Sequence, residues 1–67
     1  MIDLFPQRLQ DCRERRRISQ RTTAELCGLS KSMICRCEKG QVIPTIEVAA
    51  QLADLFEVSL DWLCGRS

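Results

Sequence analysis

Between Ser19 and Gly40 the chain is punctuated so closely that it can fold only as two short helices with almost nothing between them. Gly28 is free to take the left-handed conformation that stops a helix, and Ser30, two residues on, is a preferred helix N-cap. Ser19 caps the first of the two segments, which runs through Ala24 and Cys27. The second runs from Lys31 to about Lys39 before Gly40 ends it. The rest of the sequence reads the same way. Asp3 and Pro6 open a first helix carrying Leu9 and Cys12 and ending in the basic run Arg15 to Arg17, where cations suit the helix dipole. Pro44 and Thr45 open a fourth, with Ile46, Ala49, Leu52, Ala53 and Phe56 at helical spacing, and Ser59 caps a short fifth containing Leu60 and Leu63. No period-2 alternation persists, so the sequence predicts an all-α chain, a compact five-helix bundle.

Sixty-seven residues are expected to make one domain over 1–67. A core of that size contributes only about 3 to 5 kcal/mol, which makes staples or a second copy live questions. Five cysteines are an odd number for a disulfide framework, and Asp3 interrupts the apolar start that a secretory leader needs, so reduced thiols in the cytoplasm are expected. No apolar run approaches the roughly 18 residues of a membrane span, and the chain is expected to be soluble. Zinc fits poorly, since there is no C-x-x-C pair and no histidine. Catalysis has no support either: histidine is absent, Ser19, Ser30 and Ser59 sit at helix caps, and no carboxylate pair or Gly-rich phosphate loop appears. No cofactor and no small-molecule ligand is predicted.

The net charge of +1 conceals an uneven distribution. Residues 1–40 carry nine Lys or Arg against five acids, whereas residues 41–67 carry Arg66 against four. A nearly neutral total can hide a basic face.

Each position of the Ser19–Gly40 stretch has a physical reason. Ala24 is small where two helices cross, and Ile34 and Cys37 plug the other side of that crossing. Stepping round the helix from Ile34 places Ser32, Cys35, Arg36 and Lys39 on the opposite, outward face. The string Ser19-Gln20-x-x-x-Ala24-x-x-x-Gly28-Leu29-Ser30-x-x-x-Ile34-x-Arg36-x-Glu38-x-Gly40, followed by Pro44 and by Val58-Ser59-Leu60-Asp61-Trp62-Leu63, resembles the phage-repressor and Cro-like (Xre-type) helix-turn-helix family. The resemblance covers Arg8 to Gly65 and implies a lambda-repressor-like fold.

It also implies sequence-specific binding of double-stranded DNA by a transcriptional regulator, a repressor on a palindromic operator. Such a protein would be bacterial or phage-encoded and associated with the nucleoid. In this family the third helix enters the major groove while the start of the second sits on phosphate. Position by position, Lys31, Ser32 and Arg36 would read bases, with Met33 and Cys35 as thymine-methyl contacts; Arg36 is the strongest reader, because a guanidinium grips guanine in bidentate fashion. Gln20, Arg21, Ser30, Lys39 and Gln41 would hold phosphate. Arg13 and Glu38 would pair as a structural link between the first and third helices. One reading helix covers few base pairs, so a homodimer is expected. Trp62 with Leu60 suits either the core or an exposed patch; together with Leu63 they are the candidate dimer contact.

Two other readings stand beside this one. A protein-interaction module can keep the fold without DNA, and an antitoxin or restriction-system controller would share the DNA mechanism. The sequence also departs from its family. Thr23, Cys12, Cys27, Cys37 and Cys64 stand where Leu or Ile is usual, which shrinks the core, and Glu57 stands where Gly commonly ends the fourth helix, predicting a left-handed non-Gly residue there. Four of the cysteines are expected in the core as small hydrophobes. Cys35 faces outward, where a thiol switch blocking DNA is a minor reading.

Overall fold

The computed structural model describes residues 4–65. Among them the order is α1 (Phe5–Arg15), α2 (Gln20–Cys27), α3 (Lys31–Glu38), α4 (Ile46–Phe56) and α5 (Leu60–Cys64), with no strand. Asp3, expected to open α1, lies outside the described residues. The N-cap is Leu4, which has no side chain to accept a hydrogen bond, and Pro6 in the first turn does the positioning instead. The four later caps are side-chain caps. Ser19, Ser30, Thr45 and Ser59 accept from the backbone N–H of Thr22, Met33, Val48 and Trp62 at 3.0, 3.1, 3.2 and 3.0 Å.

The core is built from Phe5, Leu9 and Cys12 of α1, Ala24 of α2, Ile34 and Cys37 of α3, Ala49, Leu52, Ala53 and Phe56 of α4, and Leu63 of α5. α2 packs chiefly on α3, while α1 lies against α3 and α5. Buried Thr23 is satisfied by its own helix, its hydroxyl donating to the Ser19 carbonyl at 2.9 Å. Arg8 joins the ends of the fold: its guanidinium lies 4.5 Å from the centre of the Trp62 ring and donates to the Trp62 carbonyl.

Several expectations change. Leu63 is fully buried and belongs to the core, so it is not available to a second copy. Ile46 is 75% exposed, because it is the first residue of α4 and projects past the layer that covers Ala49 and Leu52. Cys12 and Cys37 are core residues, whereas Cys27 and Cys64 are only half-buried against its edge. Burial pushes the Cys12, Cys27 and Cys37 thiols above the ordinary range. Glu57 ends α4 in the left-handed region at φ 57°, and Arg17, which the sequence did not signal, sits there too at φ 56°. Arg16 pairs with Glu57 at 3.2 Å, tying the segment after α1 to the end of α4.

Candidate nucleic-acid interface

α2 ends at Gly28, whose φ of 69° is left-handed, and Leu29 passes the chain straight to the Ser30 cap of α3. The N–H of Leu29 donates to the Ala24 carbonyl at 2.8 Å, closing α2 as the chain turns. With Ala24, Ile34 and Cys37 buried at the crossing, the opposite face of α3 is turned outward.

On that face lies a concavity of about 240 Å³ lined by Lys31, Ser32, Cys35, Arg36 and Gln41. Lys31, Ser32, Arg36 and Gln41 are exposed and Cys35 is half-buried. The lining holds two cations, a hydroxyl, a thiol and a carboxamide, and no carboxylate. Met33, the other residue considered for apolar contact with a base, packs partly against the core and does not line the concavity. Gln41, expected as a phosphate contact, lines the concavity beside the outward residues of α3.

The remaining candidates surround the concavity in sequence without lining it. Ser30 and Lys39 cap the two ends of α3 and are exposed. Arg21 is exposed on the first turn of α2, 3.7 Å from Glu25, a surface pair of small worth.

Gln20 is held. Its Nε2 donates to Glu38 Oε1 at 3.1 Å, and the same carboxylate takes Arg13 Nε at 2.7 Å and Nη2 at 3.2 Å. Arg13 Nη1 donates in addition to the Ile18 carbonyl at 3.0 Å, and the bonds to Glu38 raise its already high pKa further. Since a carboxylate only accepts, the amide nitrogen of Gln20 must face it, and one of its two N–H bonds is used in doing so. The family string placed Gln20 but carried no signal for this link to Glu38, 18 positions away.

Two helices crossed at a small residue, joined by a glycine turn, with a basic, acid-free outward face on the second, define a helix-turn-helix protein of the lambda-repressor-like class. A family described as helix-turn-helix matches residues 9–63, and the chain belongs to this family. It is similar to the HTH-type transcriptional regulator AnsR of Bacillus subtilis (strain 168), 41% identical over 59 residues, which make up 88% of the chain and 51% of that protein. It is also similar to the cryptic phage CTXphi transcriptional repressor RstR of Vibrio cholerae serotype O1 (strain ATCC 39315 / El Tor Inaba N16961), 35% identical over 60 residues, 90% of the chain and 54% of that protein. The chain thus spans about half the length of the curated relatives it matches. No solved structure matches it. No helix among the described residues is long and apolar enough to cross a membrane.

Proposed function

We propose that residues 1–67 form one helix-turn-helix unit that binds double-stranded DNA in the cytoplasm as a transcriptional regulator, a repressor acting as a homodimer on a palindromic operator. The observation that carries this reading is the acid-free concavity on the outward face of α3. Lys31 and Arg36 stand five positions apart there, which is about 7.5 Å along a helix and roughly two base-pair steps of B-DNA. Arg36 takes guanine, Lys31 and Ser32 take the bases nearer the start of α3, and Cys35 meets a thymine methyl. Gln20, Arg21, Ser30 and Lys39 hold phosphate and fix the register. Leu60 and Trp62, both half-buried in the protomer, form the contact with a second copy. The two relatives, one a transcriptional regulator and the other a phage transcriptional repressor, support the same class of activity.

The test is selection of sites from a random duplex pool at near-physiological salt, with wild type and Arg36→Ala side by side. A palindrome recovered by the wild type, with one letter per half-site blurred in Arg36→Ala, is the expected result. A wild type that enriches nothing sinks the reading.

A protein-interaction module is the second reading, and the exposed apolar side chains favour it: Ile43 is 81% and Ile46 is 75% exposed. Salt separates the two. DNA affinity falls steeply and linearly on a log–log plot as counterions compete, whereas an apolar protein contact does not.

A further inference from the structure

We infer that Gln41 is a specificity-determining residue which reads an adenine within one base-pair step of the guanine taken by Arg36. The inference rests on the DNA-binding reading above.

Three observations carry it. Gln41 shares one concavity with Arg36, Cys35, Ser32 and Lys31, although it lies outside α3 in the sequence. Its backbone is fastened to α3: Gly40 adopts φ 72°, and across that left-handed residue the N–H of Gln41 donates to the Arg36 carbonyl at 2.9 Å, while the N–H of Gly40 donates to the Cys37 carbonyl at 3.2 Å. This is the double closure that finishes a helix, so the backbone of Gln41 is anchored to the last turn of α3. The position is therefore pre-set relative to Arg36, as a base reader must be.

Chemistry supplies the third. The lining already holds two cations, Lys31 and Arg36, which only donate and so suit guanine and phosphate. Gln41 is the residue of the concavity whose amide offers a donor and an acceptor side by side, the pattern that matches N7 and N6 of adenine. A phosphate has no donor to offer the amide oxygen, so half of this group would be idle on the DNA backbone.

The experiment uses the full chain and the duplex that wild type selects from the random pool. Adenines flanking the base pair that Arg36→Ala blurs are replaced one at a time by 7-deazaadenine, which lacks the N7 acceptor. Wild type should lose about tenfold in affinity at one of these adenines. Gln41→Ala should bind the plain and the 7-deaza duplex alike, near the wild-type affinity for the latter, while Arg36→Ala still senses the replacement. Gln41 is exposed, and Gln41→Ala should melt with wild type, which removes misfolding as a cause. The inference is overturned if no adenine within one step is sensitive, or if Gln41→Ala weakens every duplex equally and still senses the lost N7, as a phosphate contact would. A wild type that selects no sequence overturns the DNA-binding reading itself and this inference with it.

Discussion

Arg13 and Glu38, 25 positions apart, meet as a two-pronged ion pair that joins α1 to the last residue of α3. The Glu38 side chain is only 5% exposed, so the pair is worth most as a unit. Removing one partner strands the other charge away from water, which costs about 3 kcal/mol, a large part of what a core this size provides. Glu38→Ala and Arg13→Ala should therefore each be largely unfolded in urea concentrations that leave wild type intact. The pair replacement Arg13→Met with Glu38→Leu should lose less than either single change. A double variant weaker than both singles contradicts this account.

Two residues occupy backbone conformations that L side chains resist, Arg17 at φ 56° and Glu57 at φ 57°. Glycine enters that region freely, and an exposed pair such as Arg16–Glu57 contributes little to offset the strain. Glu57→Gly and Arg17→Gly should each raise stability by about 1 kcal/mol in chemical denaturation. Lower midpoints for both would show that the strain is fully compensated by contacts.

Alkaline conditions should loosen the fold. Burial raises the Cys12 and Cys37 thiols, so the folded chain holds its protons more tightly than the unfolded chain. A raised folded value means stability that is complete below the ordinary thiol value of 9.0 and is lost as pH climbs through the folded value. Melting temperatures recorded from pH 8 to pH 10 should fall for wild type. They should fall less steeply for Cys12→Ala with Cys37→Ala, whatever that variant's lower starting point.

Within α5 the neighbours Trp62 and Leu63 divide the work. Leu63 is fully buried, and Leu63→Ala should cost about 2 to 5 kcal/mol. Leu60 and Trp62 are half-buried, and Leu60→Glu with Trp62→Glu should keep the helical signal while sedimenting as a monomer. If wild type sediments as a dimer and the variant does too, the contact between copies lies elsewhere; a wild type that is itself monomeric contradicts the proposed dimer.

Much of this fold was legible because its boundaries are written in single residues. Ser19, Ser30, Thr45 and Ser59 cap by side-chain chemistry that needs no tertiary context, and Gly28 stops α2 for steric reasons. The outward face of α3 follows from the 3.6-residue period once Ile34 and Cys37 face inward. What could not be read depends on neighbours remote in sequence. Five residues are too few for periodicity to tell whether Leu60 or Leu63 points inward, so the inward role of Leu63 emerges only when α1 lies against α5. Ile46 keeps the helical spacing of α4 but overhangs the core at its first turn. Arginine gives no hint of a left-handed backbone at position 17, and nothing local announces that Gln20 will meet Glu38.

The clasp of Arg8 on Trp62, together with the burial of Leu63 beside α1, makes the far ends of the fold interdependent. A five-residue helix is too short to persist alone, and α1 without α5 leaves part of the Phe5 and Leu9 cluster uncovered. On the ribosome, α3 near the middle of the chain can be synthesised before its outward face has a fixed frame. That face gains its fixed frame when Trp62 and Leu63 have cleared the exit tunnel, so a nascent chain stalled in α4 would lack the packing that holds α3 in place.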